Sequence, residues 1–411
     1  MEFELTASTE AGKRMVELAE KHAVDFALTA AENDRKGTFP VENIRALQKS
    51  GFAAAGVPTE FGGMGVASIH DWIVAMNRLG RAEGSTPLAF TMHMSRTLVA
   101  ARGYRLAEAT GDETRKQRWE PMLRKIGAGE MIITVANSER GANIRTSRTL
   151  ATKVDGGWLF NGAKTFATGS PAANMLAVRA RFQNQVGENR MGAAIVPVDR
   201  PGVEILENWD GLGMRASGSH DVIFTDYFVH DDEFSDIGEY GKFNAHFLAL
   251  ASGSSLALSS IFLGIAESAH QIAVDAIKER DSAGYPMNQV SAAENEIDLA
   301  ACRAILSRAA QTLDDYCLEA ANSEAGTDES ARRAFQVIKN AAAAKKFAME
   351  AAVTIVDRAI TLYGGGGYLA GSTLARLYRD VRAGPFMQPW ARNQAIEFIG
   401  KVALGLDPNH E

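Results

Sequence analysis

Apolar residues recur along the first 130 positions at the three-to-four-residue spacing of helices that turn one face inward. Met15, Leu18, Ala19, Val24, Phe26 and Leu28 follow that spacing within 12–33, and residues 41–50 repeat it. A third such stretch lies near 69–79, after the glycine-punctuated loop Val57-Pro-Thr-Glu-Phe-Gly-Gly-Met-Gly65. From Met131 the period shortens to two. Runs opening at Gly157, Met175, Met191 and Asp221 are short, aromatic or β-branched, and bounded by turn residues, which predicts strands. Several strands at near-regular spacing predict a small barrel or sandwich. The helical period returns at Phe243 in three long stretches, 243–280, 290–322 and 329–363, with short polar breaks as in a bundle. The fold class expected is α+β, with a helical domain over 1–130, a β domain over 131–237 and a helical bundle over 238–411.

Composition narrows the function classes. With 46% apolar and 23% charged residues in 411, the chain has globular composition and enough length for two or three domains. A formal charge of −7 gives no electrostatic reason to bind nucleic acid or an anionic membrane. No uncharged apolar run is expected to reach bilayer length, and the N-terminal MEFELTASTEAGKR is polar and acidic, so a cytoplasmic protein is expected. Cys302 and Cys317 are too few for a disulfide framework and read as free thiols. The eight histidines show no metal-site spacing, and no Gly-x-Ser-x-Gly elbow supports a serine hydrolase.

Two local features carry chemistry, each beside a plainer reading. Gly364, Gly365, Gly366 and Gly367 follow an alanine-rich helix; they are either a flexible helix end or a place where backbone N–H groups approach a phosphate closely. Arg280 follows another long helix, either as a solvated cation complementing its dipole or as a guanidinium gripping a phosphate.

Motifs across nearly the whole chain resemble those of the acyl-CoA dehydrogenase superfamily. They include Val57-Pro-Thr-Glu-Phe-Gly-Gly, Asn161-Gly-Ala-Lys-Thr-Phe-Ala-Thr168, Gly211-Leu-Gly-Met-Arg-Ala-Ser217, and Gly364-Gly-Gly-Gly-Tyr368 followed by Leu377-Tyr-Arg-Asp380. The resemblance implies resident FAD. Thr168 would donate to flavin N5, Phe166 would stand in for the usual Trp against the ring, and Asn137 and Ser138 would reach its pyrimidine edge. Arg280 and Gly364–Gly367 would serve the pyrophosphate and adenine half across a subunit boundary, so a homodimer or homotetramer is implied. It further implies dehydrogenation of an acyl thioester, with an electron-transfer partner or oxygen taking the electrons.

The departures fall on substrate chemistry. Counting from Arg379-Asp380, the family's catalytic glutamate becomes Gln388, expected between Phe386, Met387 and Trp390 as walls of the substrate pocket. The alternative base position, on the first bundle helix, holds Ser254, and Ile144 replaces a serine that contacts the CoA chain. A neutral amide cannot accept an α-proton, a service worth roughly 10²–10⁴ in rate. Beside an acyl thioester dehydrogenase stands therefore a flavin monooxygenase or oxidase acting on another small molecule, and, more remotely, an inactive flavin-binding scaffold.

Overall fold

The computed structural model describes residues 3–320 and 328–409. Among these, helices α1 (Glu10–Lys36), α2 (Val41–Lys49), α3 (Ile69–Ala82), α4 (Ser85–Thr110) and α5 (Glu113–Gly127) come first. Strands β1 (Ile133–Ala136), β2 (Leu150–Val154), β3 (Gly157–Ala167), β4 (Met175–Gln183), β5 (Asn189–Pro197), β6 (Val203–Ile205), β7 (His220–His230) and β8 (Phe234–Glu239) follow. Helices α6 (Ala245–Glu279), α7 (Pro286–Ala320), α8 (Asp328–Tyr363), α9 (Thr373–Val381) and α10 (Arg392–Ala403) complete the order. Local chemistry sets the boundaries. Thr9, Ser68 and Asp112 accept from first-turn N–H groups of α1, α3 and α5, and left-handed Gly37 and Gly111 end α1 and α4.

The strands form one eight-stranded sheet in the order β6-β7-β3-β2-β4-β5-β8, with β1 pairing in parallel with β4. Its inward residues, among them Phe160, Val178, Val196 and Phe224, bury one apolar cluster. A second joins α4 and α5 to the sheet through Ala101, Tyr104, Leu123, Ile133 and Ala177. The largest is shared by the helices at both ends of the chain. Helix α3 lies so close on α6 that a Cβ on Gly80 would stand 2.5 Å from the Ile261 carbonyl oxygen, and one on Gly264 2.4 Å from that of Asn77. Glycine is required at that crossing, and it fuses the N-terminal helices and the bundle into one core.

Helix α6 corrects the expectation that no apolar run reaches bilayer length. It is long and apolar enough to span a membrane, but 83% of its most apolar 18-residue window is buried inside the protein, as in a core helix. Its serines disguise the run in the sequence. Ser252, Ser259 and Ser260 return their hydroxyls to carbonyls three or four residues back, which lets them sit in the core.

Candidate functional site

A cavity of about 1150 Å³ lies where the N-terminal helices, the sheet and the start of the bundle meet. Helix α4 lines it with Arg96, Val99, Arg102 and Arg105, residues that return to one helix face every three positions. Helix α5 adds Arg118 and Trp119, β4 adds Arg179, and α6 adds apolar Phe247 and Leu250. At about 1.5 Å rise per residue, Arg96 and Arg105 are about 13 Å apart along α4, so positive charge lines the length of the cavity.

These guanidiniums are held mostly by neutral groups. Arg96 donates to Ser95 Oγ at 3.2 Å, Arg105 to the Gly65 carbonyl at 3.2 Å, Arg179 to the Ile144 carbonyl at 3.0 Å, and Arg118 to Ser235 Oγ. Among the described residues only Arg102 pairs with a carboxylate, that of Asp314 at 3.9 Å. Burial pulls both Arg96 and Arg179 down to about 10, and the charge of Arg179 adds to the effect on Arg96. Both remain cations at neutral pH. Of the four acidic residues that line the cavity, Asp232 and Asp315 are exposed, and Asp314 and Glu233 are engaged by other groups. Asp314 accepts from Ser68 Oγ and from the Ile69 and His70 N–H groups at 2.7–3.2 Å, capping α3, and Glu233 is gripped by both terminal nitrogens of Arg200 at 2.7 Å. Desolvated cations without counter-ions are costly, so the lining is built for an anion or an electron-rich ligand.

At its inner end, at Asn137, the cavity meets a wall of the sheet domain, whose further residues Ser138, Phe166 and Thr168 do not themselves line it. Ala136 of β1 sits opposite Val178 of β4, which sets Asn137 beside Arg179; Asn137 lines the cavity, and its Oδ1 is buried without a partner. The Ser138 carbonyl accepts from Thr165 N at 2.8 Å, tying β1 to β3. Phe166 then takes φ 57, rare for an aromatic residue; the residue is 59% exposed, with its ring edge-on to Trp209 at 6.0 Å. Thr168 Oγ1 lies 2.9 Å from Ser219 Oγ, which lies 2.7 Å from Ser217 Oγ. Behind the wall Glu139 is ion-paired with buried Lys164 and accepts from Ser147 Oγ, Thr149 Oγ1 and Arg148 N. Burial pushes the Glu139 carboxyl up, but Lys164 and these donors outweigh it and hold it at about 2. An exposed ring, a polar strand edge and a buried hydroxyl chain together fit a flavin ring, which needs one apolar face and hydrogen-bonding partners at its edge.

A second corner joins α6 to the end of α8. Arg280 donates to the Tyr363 carbonyl at 2.6 Å and stacks 4.8 Å over that tyrosine's ring. Gly364 begins the glycine run at φ 89, and a Cβ on Gly364 or Gly365 would meet nothing within 4 Å. Gly366 and Gly367 lie against the Tyr363 ring, and Gly367 is buried. The two features singled out in the sequence thus form one positive corner open to close approach.

The residues expected to wall the substrate pocket lie away from this cavity. Trp390 is core, packed 5.5 Å from Phe243 and 4.5 Å from Phe398 between ring centroids; Phe386 is exposed beneath Arg382, and Met387 is half-buried against the helical core. Gln388 is exposed, and none of the four lines the cavity. The cause is Lys345, buried in α8, which donates to the Met387 carbonyl at 2.7 Å and to that of Pro389, pinning the loop onto the bundle. Ser254 donates to the Ala251 carbonyl of its own helix at 2.8 Å and does not line the cavity either. The sequence reading missed the arginines. Their signal was present: Arg96 is the one acid or strong base between Ser85 and Ala101, in a helical run otherwise free of Asp, Glu, Lys and Arg.

Models of the acyl-CoA dehydrogenase N-terminal, middle and C-terminal domains match residues 9–126, 133–227 and 254–388. Amino sugar nitrososynthase DnmZ of Streptomyces peucetius is 33% identical over 97% of this chain and 94% of its own length. Amino sugar nitrososynthase RubN8 of Streptomyces rubradiris is 34% identical over 98% and 92%. The solved structure of KijD3 in complex with FMN and dTDP-3-amino-2,3,6-trideoxy-4-keto-3-methyl-D-glucose superposes with a TM-score of 0.89 at 33% identity, covering 99% of this chain and 97% of that one.

Proposed function

This chain belongs to the acyl-CoA dehydrogenase superfamily, and from that premise we propose that it is a flavin-dependent monooxygenase that oxidises the amino nitrogen of a nucleotide-linked amino sugar. The reading displaces the first expectation, dehydrogenation of an acyl thioester, in favour of its alternative. One observation carries it: the cavity beside the flavin wall is lined with arginines and offers no free carboxylate at its inner end. A diphosphate suits the arginines whether it belongs to CoA or to a nucleotide sugar. Removing an α-proton, however, needs a base, and Gln388 and Ser254 supply none. An amine nitrogen presents its own lone pair. Relatives acting on amino sugars, alike over almost the whole chain, point the same way.

In this reading the flavin supplies two electrons and activates oxygen, so that one atom of O₂ joins the nitrogen and the other leaves as water. The chain's own residues do the rest. Arg102, Arg105 and Arg118 bind the diphosphate along α4 and α5, Asn137 receives the amine, and apolar Phe247 and Leu250 exclude water. Phe166, Ser138 and the Thr168 hydroxyl chain hold the flavin ring. Arg280 and Gly364–Gly367 favour FAD, serving its adenosine diphosphate end in a second copy of the chain.

The test has two arms. Anaerobic addition of an acyl-CoA series should leave the bound flavin oxidised. Reduced flavin, oxygen and a dTDP-linked 3-amino sugar should yield a product heavier by one oxygen atom. Bleaching by an acyl-CoA would reinstate the dehydrogenase, and an unchanged amino sugar would refute N-oxidation.

A further inference from the structure

An amine at neutral pH is mostly an ammonium ion, whose nitrogen has no lone pair to oxidise, and Asn137, Arg96 and Arg179 at the inner end of the cavity cannot take up its proton. We infer that Arg96 and Arg179 solve this electrostatically: the inner end of the cavity admits the substrate amine only as the free base, its proton being left in the solvent on binding. The inference rests on the amino-sugar reading above and adds how that amine becomes reactive.

The geometry comes from three elements. Arg179 projects from β4 next to Asn137, and Arg96 enters from α4, so two cations line the end of the cavity that adjoins the flavin wall. Like charge disfavours a third cation there. Asn137 Oδ1, buried and unpartnered, accepts a hydrogen bond from a neutral amine and leaves the nitrogen lone pair free.

Other charged groups around the cavity do not cancel this field. Glu139, nearest in sequence, is ion-paired with Lys164 and hydrogen-bonded by Ser147, Thr149 and the Arg148 N–H; its charge also acts on Arg179, but it is one anion against the three cations Arg96, Arg179 and Lys164. Lys164, in β3, is a further cation behind the wall and donates to the Arg179 carbonyl. From α7, Asp314 caps α3 and faces Arg102, while Asp315 lies on the exposed side of the helix. Asp232 is exposed and Glu233 is neutralised by Arg200. His246 on α6 is held between the Tyr316 hydroxyl at 2.9 Å and Ser330 Oγ at 3.2 Å, and His70 on α3 contacts Ser307 Oγ at 3.0 Å. The inner end is therefore net positive.

Calorimetric titration of the oxidised, flavin-loaded protein tests this without turnover. The probes are a dTDP-linked 3-amino sugar and its counterpart with a hydroxyl in place of the amine, each titrated at pH 7 in two buffers of different protonation enthalpy. The amino sugar should release close to one proton per site and the hydroxyl sugar none. In Arg179→Gln and Arg96→Gln the release should fall, with the acid limb of the binding profile moving by about one pH unit or more per lost cation toward lower pH for tolerance of the ammonium form. Arg179→Met and Arg96→Met keep most of the side-chain bulk without the charge and should lose the release as the glutamine variants do, which separates electrostatics from lost packing. Tight binding of the amino sugar with no proton release, or equal release in the glutamine variants, would overturn the inference while leaving the amino-sugar reading intact. Failure of both probes to bind would overturn that reading and the inference with it.

Discussion

Single residues here owe their roles to what faces them. Arg280 has the sequence context of a solvated helix-end cation, yet its guanidinium is stacked on Tyr363 and fastened to the carbonyl preceding the glycine run. If it also grips a flavin pyrophosphate, Arg280→Ala removes charge-assisted hydrogen bonds worth about 1.5–3 kcal/mol, tenfold or more in FAD affinity, and leaves FMN affinity unchanged. Titrating the apoprotein with each flavin measures both. Equal FAD affinity in mutant and parent would return Arg280 to the plainer role, and FMN as the flavin extracted from the purified protein would refute the adenosine end of the proposal. Arg96 shows the converse. An arginine in the mostly buried first half of α4 is costly, and the cavity beside that helix explains why it is there.

Elements are joined by buried polar groups at the places where the apolar pattern falls silent. The loop between β1 and β2 carries Glu139, which meets Lys164 of β3 and the backbone and hydroxyls of 147–149. That ion pair holds the wall formed by Ser138, Thr165 and Phe166 in register. Glu139→Gln would leave Lys164 buried without its counter-charge, a loss of about 3–5 kcal/mol, to be read as a lower urea midpoint. Retention of full stability would show that the pair is replaceable. The flavin wall should loosen with it, so flavin occupancy should fall in parallel. The loop of 384–390 is governed the same way by Lys345, whose hydrogen bonds to two carbonyls turn Trp390 into the core and leave Gln388 exposed.

At the scale of the molecule, α9 ties the bundle to α1 and to the sheet domain. Arg379 forms a bidentate pair with Asp34, and Asp380 accepts from Met214 N at 2.6 Å in the loop that leads to Ser217 and Ser219. Burial, aided by Asp34 and Glu83, raises the Asp380 carboxyl from 3.8 to about 7 against the pull of Met214 N and Arg376. A raised folded-state value means that its contribution to stability is full below about pH 3.8 and lost as pH rises through about 7. Unfolding midpoints should therefore decline across that window, and Asp380→Asn should flatten the decline; identical profiles would remove Asp380 from the account. The sequence by itself determined the order helix, strand, helix, because the periods of buried positions change where the elements do. It also carried the flavin-side motifs, since close backbone approach demands glycine and ring contact demands an aromatic residue locally. Only the tertiary structure decided that both helical regions share one core, through the Gly80–Gly264 crossing, and that arginines from α4, α5 and β4 converge on one cavity. Those residues are up to 83 positions apart in the chain, from Arg96 to Arg179, and charge acts through space, so no local pattern records their meeting.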